Sequence, residues 1–286
     1  MALCLYDAAF TALNEIAGSS YRKAVTAVTL FGGFASTVFW PLSQVLLDAV
    51  GWRQTLALYA ALQVFICLPM HLWLVPPHRA AALPDLSTGL HSDPGHAAVV
   101  ANYAWLALAF ALSAFVFSAM SVHLITLLKS GGLSAKDAVL VAALIGPMQV
   151  LGRIIEFTFA RNIRPTIVGT MSFLLMLLAL LSLLPVQALS PLAFLFAALY
   201  GFSNGIMTIV RGTVPAELFG RVGYGVLLGK LARPAFIAKA VAPVVFSVVL
   251  AAGLLRHSAI LALAGCSALS LIAYLIAVRK VTPVRR

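Results

Sequence analysis

An all-α, polytopic membrane protein of about nine helices is the fold class that three observations predict. Of the 286 residues, 62% are hydrophobic and 9% charged, and mean hydropathy is +1.04, far from the balance of a soluble domain. The few charges cluster in short groups between apolar runs of about 20 residues, the length that crosses a bilayer as a helix. The third observation is the polar stretch Pro76 to Ala101, which holds four prolines, two glycines, three histidines, two aspartates and an arginine and is ill suited to lipid. It divides three hydrophobic spans from six. Residues 1–75 then read as the end of an N-terminal bundle, 76–101 as a cytoplasmic linker, and 102–286 as a six-helix C-terminal bundle.

The same composition excludes several classes. A net charge of +11 and a pI near 10.1 could suit nucleic acid, but most of the lysines and arginines sit at span ends, where they meet anionic headgroups. No nucleic-acid partner is expected. Cys4, Cys67 and Cys266 lie far apart in apolar segments without metal-ligand spacing and read as small hydrophobes. His91, Ser92, Asp93 and His96 flank Pro94 and Gly95 and read as solvated loop residues, so no cofactor or metal is expected.

In chain order, Ala2 to Ile16 is short for a span and holds Asp7 near its middle; without a basic leader or small-residue cleavage site it is a poor signal peptide. A polar turn at Gly18 to Lys23 precedes a span from Ala24 to Val50. Gly51-Trp52-Arg53 opens a third, ending at Pro76. After the linker, spans are expected at Asn102–Leu128, Ser134–Ala160, Thr166–Leu184, Pro191–Val214, Tyr224–Gly253 and Ser258–Val278, punctuated by Gly131-Gly132, Pro165, Pro185, Pro191 and Pro215. Ten basic residues fall in one set of alternate loops (Arg22, Lys23, Arg79, Arg161, Arg164, Arg221, Arg279, Lys280, Arg285, Arg286) against four in the other (Arg53, Lys129, Lys136, Arg256). That bias places the linker and the C-terminus in the cytoplasm.

A faint internal repeat runs through the chain. Leu5-Tyr6, Arg22-Lys23, Pro41-Leu42 and Gly51-Trp52-Arg53 precede the third span, and Leu199-Tyr200, Arg221, Pro243-Val244 and Gly253-Leu254-Leu255-Arg256 precede the last in the same order. Spans one to three thus match seven to nine, and the middle three lack a partner. A six-plus-six architecture would supply it before Met1.

Polar stripes mark the interior faces. Thr26, Thr29, Gly33, Thr37, Trp40 and Gln44 share one helical face; so do Asp7, Thr11 and Asn14; Gln149, Arg153 and Glu156; and Tyr200, Asn204, Met207 and Arg211. The Thr and Gly positions read as close helix packing, whereas charged groups in a membrane point to function. Arg153 and Glu156, spaced i and i+3, are expected to pair as a cytoplasmic-side gate. Arg211, near the end of its expected span, could snorkel or reach Glu217. Lys230 and Arg233 lie two turns into their span with Lys239 pointing the other way, a buried basic excess that favours an anionic solute. His123 reads as a packing residue rather than a proton relay.

Twelve spans in two related halves, a long central loop, Gly51-Trp52-Arg53 before a sixth-type span and Gly152-Arg153 ending an eighth-type span resemble the major facilitator superfamily. The stretch Tyr200 to Gly225 is similar to the tenth span and following loop of its bacterial, monocarboxylate-transporter-like members. The resemblance runs from midway through the fourth family span to the twelfth, so roughly the first three helices are expected to be missing. It implies a bacterial inner-membrane secondary transporter that moves a small organic solute by rocking two bundles, driven by a solute or proton gradient. Asp7, Gln149, Arg153, Glu156, Tyr200, Asn204, Arg211, Lys230 and Arg233 are the expected pathway or gating residues. Two other readings stand beside it: a non-transporting remnant or assembly partner, motivated by the missing helices, and a membrane-embedded lipid enzyme, which would need acid, base or metal groups gathered at one depth.

Overall fold

The chain folds into helices because it must satisfy its backbone without water. The computed structural model describes residues 6–74, 94–160, 162–185, 191–220, 223–251 and 256–279. These residues form nine α-helices: α1 (Tyr6–Ile16), α2 (Tyr21–Leu62), α3 (Leu68–Leu74), α4 (Pro94–Ser130), α5 (Ala135–Phe159), α6 (Pro165–Leu183), α7 (Pro191–Phe219), α8 (Tyr224–Ala251) and α9 (Arg256–Arg279). Among the described residues six segments, at Asn102–Ser130, Ala135–Phe159, Pro165–Leu183, Pro191–Phe219, Tyr224–Leu250 and Arg256–Arg279, are long and apolar enough to cross a bilayer. They coincide with the six spans expected after the linker. Linker residues 76–93 lie outside the described ones.

Contacts divide the chain into two units, Met1–Phe31 with Ser92–Arg286, and Gly32–His91. In the second unit α2 is broken at Gly51, whose backbone (φ 77°, ψ 169°) is open to glycine and strained for other residues. Ser43 and Tyr59 would stand about 24 Å apart along a straight helix, yet their hydroxyls lie 2.7 Å apart and the Phe39 and Tyr59 rings meet edge to face. The chain therefore reverses at Gly51, the boundary expected between the second and third spans. Beyond Leu62 a π-helical turn, Gln63–Cys67, leads into α3.

In the first unit, α4 packs on α8 and α9, α7 on α5 and α6, and α6 on α9. The interfaces are made by small residues and by hydroxyls that bond to carbonyls across helices. A Cβ at Gly205 would lie 2.2 Å from the Gln149 carbonyl oxygen and one at Gly201 2.6 Å from the Met148 Cβ, so α5 and α7 touch backbone to backbone. Ser172 donates to the Ser203 carbonyl (3.0 Å) and Ser203 to the Ser172 carbonyl (2.8 Å), a reciprocal tie between α6 and α7. Tyr274 of α9 donates to the Thr166 carbonyl at 2.9 Å. Arg256 donates to the carbonyls of Leu127 (3.1 Å), Leu183 (2.7 Å) and Leu184 (3.4 Å), closing the C-terminal ends of α4 and α6 together.

Two helix boundaries differ from expectation. α4 starts at Pro94, inside the expected linker, because proline is compatible with the first turn of a helix. α7 continues through Pro215 to Phe219 rather than ending near Val214. Pro215 has no N–H to donate into the helix, and the Gly212 carbonyl accepts from the hydroxyls of Tyr21 (2.7 Å) and Tyr224. These tyrosines belong to a second small core with Phe10, Val25, Ile209 and Leu228, which seats α1 and the first turns of α2 on α7 and α8.

Candidate functional site

A cavity of about 200 Å³ opens where α1, α4, α7 and α8 converge. α7 contributes Asn204, Met207, Thr208 and Arg211 to it, at the i, i+3, i+4 and i+7 positions of one face. Three members of the stripe expected on that helix thus line one space. α1 adds Tyr6 and Phe10, α4 adds Phe110, Ser113 and Phe117, and α8 adds Phe236 and Lys239. Two cations and several hydroxyl or amide groups therefore stand among four phenylalanine rings.

α8 carries a proline one turn beyond Lys239, and a neighbouring helix makes good the hydrogen bond it costs. Pro243 leaves the Lys239 carbonyl without its helical donor. Ser118 of α4 supplies the missing bond at 2.7 Å. One turn further, His123 Nε2 lies 3.1 Å from the Pro243 carbonyl, which makes His123 a bonded packing residue between α4 and α8.

The expected residues separate into distinct places. Asn204 and Arg211 line the cavity. Tyr200 lies fully inside the helix packing, stacked on Phe196 and approaching the Phe117 carbonyl at 3.3 Å. Gln149 is half-buried, its backbone pressed on Gly205. Lys230 and Arg233 are exposed and do not line the cavity, and Lys239, which does line it, is exposed as well, so the buried basic excess expected on that helix is not found. The side chains of Asp7, Thr37, Trp40 and Gln44, and the surroundings of Gly33, fall outside what is described.

Glu156 and Arg153 do not pair. Glu156, 2% exposed, accepts from Arg22 at 2.8 Å and from Thr26 at 3.1 Å, both on α2. Arg22 also donates to the carbonyls of Ala160 (2.7 Å) and Ile163. A cation at the C-terminal end of α5 satisfies carboxylate, orphan carbonyls and helix dipole together, which a neighbour on the same helix could not do. Arg153, 6% exposed, has an unpartnered Nε and joins no ion pair among the described residues. Glu217 likewise has a partner other than the one expected: Arg164 at 3.0 Å, with the Thr166 backbone N–H at 2.9 Å, so it caps the start of α6. Arg22 and Lys239 are the site residues that sequence reasoning passed over. In the sequence Arg22 reads only as a loop charge, and the convergence that selects Lys239 is visible only in three dimensions.

A family model described as Major Facilitator Superfamily matches residues 3–232. No curated protein matches the chain.

Proposed function

The chain belongs to the Major Facilitator Superfamily and is a membrane transporter of that family, and from that premise we propose that it is a secondary transporter moving a small anionic organic solute by alternating access. The observation that carries this reading is the cavity in which Arg211 and Lys239 stand among Phe10, Phe110, Phe117 and Phe236. A carboxylate would be held by charge-assisted bonds from the cations and oriented by Asn204, Ser113 and the Tyr6 hydroxyl, while its hydrocarbon part meets the rings. The similarity of Tyr200 to Gly225 to monocarboxylate-transporter-like sequences supports the same class. The Arg22–Glu156 pair closes α2 onto α5 and acts as a gate.

In this reading the gate and the C-terminus face the cytoplasm of a bacterial inner membrane, and a solute or proton gradient drives the cycle. The test is uptake into proteoliposomes of a panel of small monocarboxylates of increasing apolar bulk, with and without an imposed pH gradient. Saturable uptake that Arg211→Gln weakens at least several-fold in half-saturating concentration is the expected result. Absence of uptake for all anions, with neutral or cationic solutes moved instead, would overturn it.

A further inference from the structure

The Arg153 guanidinium is the buried group that the closed gate leaves unexplained. Its Nε meets no acceptor, it is 6% exposed inside α5, and no ion pair among the described residues includes it. An uncompensated cation in a membrane span is strongly disfavoured, so the energetics favour a state in which it has a counter-charge. Helix geometry brings one carboxylate to it: Glu156, three residues on, on the same face. In the arrangement described, that carboxylate is taken by Arg22 and Thr26.

We propose that Glu156 exchanges partners during transport, holding Arg22 while α2 is packed on α5 and turning to Arg153 when the first turns of α2 move away. Arg153 is then a positioning residue for the opened state. The exchange needs only side-chain rotation on one helix, and it removes two uncompensated buried charges at the moment the gate parts. Arg22, at the start of its helix and partly exposed, goes to water at no comparable cost. The inference rests on the alternating-access reading.

The test uses the whole chain with Cys4, Cys67 and Cys266 replaced by alanine and Thr29→Cys added. Thr29 is fully buried on α2, so its labelling by a maleimide reports the parting of that helix. Arg153→Gln is expected to raise thermal stability in detergent, to slow labelling, and to lower the maximal transport rate several-fold with little change in half-saturating concentration. Arg153→Lys restores rate and labelling. Arg22→Gln has the opposite sign and speeds labelling. A residue needed merely for packing would instead lose stability on Arg153→Gln, and that result overturns the exchange, as does unchanged labelling. If the parent protein moves no solute while this labelling pattern holds, the exchange stands and the transport reading falls; if transport proceeds and labelling ignores Arg153, the reverse holds.

Discussion

A single missing methyl group sets how closely two of the helices approach. At Gly205 an added Cβ would meet the Gln149 carbonyl oxygen at 2.2 Å, backbone against backbone, whereas at Gly146, on the same pair of helices, it would meet nothing within 4 Å. Gly205→Ala must therefore force α5 and α7 apart, an overpacking penalty of about 1–3 kcal/mol or more. Gly146→Ala should be neutral or stabilising by up to ~1 kcal/mol, since alanine is the better helix former. Thermal unfolding of the two variants in detergent checks the contrast, and equal melting points would refute it. Glu156→Gln keeps the shape of the side chain but removes its charge from the Arg22 contact. A loss of about 1–3 kcal/mol is expected, read as a lower melting point and faster labelling at Thr29→Cys. That Glu156 needs a partner was legible in the sequence, because a carboxylate in a span is costly without one. Its partner was not: helix spacing selects Arg153, whereas the better set of acceptors for a cation lies at the end of α5, within reach of a residue 134 positions away.

Proline behaves differently as an element of a buried helix than as punctuation in a sequence. Pro165 and Pro191 begin helices, as their fixed φ allows, but Pro147, Pro215, Pro234 and Pro243 lie inside them. That is why the expected end of α7 fell short while the other spans after the linker were placed within a few residues. Apolar run length is a property of local sequence; the repair of a freed carbonyl depends on a side chain from another helix. Ser118 and the Lys239 carbonyl test this directly. Ser118→Ala should cost about 1–3 kcal/mol, because a carbonyl is left unpaired away from water. In a Pro243→Ala background the helix supplies its own donor and the same substitution should cost much less. A double-mutant cycle on melting temperature reads the coupling, and additive effects would show that Ser118 does not repair the break. Gly51 is the converse case, since a glycine at the Gly-Trp-Arg turn was readable as a reversal and the Ser43–Tyr59 contact bears it out.

For the molecule as a whole, class and family were legible because they rest on quantities summed along the chain: apolar content, run length and the order of weak motifs. The cavity was half legible. One helix face announced Asn204, Met207 and Arg211, but the choice of Lys239 over Lys230 and Arg233 depends on which side of α8 meets α4. Orientation is the whole-molecule property that charge alone argues. Arg22, Arg164 and Glu217 gather at the end of the bundle where α5 hands over to α6, while Lys129 and Arg256 stand at the end where α4 gives way to α5. The first end carries the basic excess and should face the cytoplasm. Ser130 and Asn162 are exposed residues in these two turns, separated by the single span α5, so they must lie on opposite sides of the membrane. In intact cells a membrane-impermeant maleimide should label Ser130→Cys and leave Asn162→Cys unlabelled until the membrane is permeabilised. The opposite pattern would invert the topology and put the Arg22–Glu156 gate on the outer side. Labelling of both in intact cells would mean that α5 does not span, which its 25 residues and near absence of exposed charge argue against.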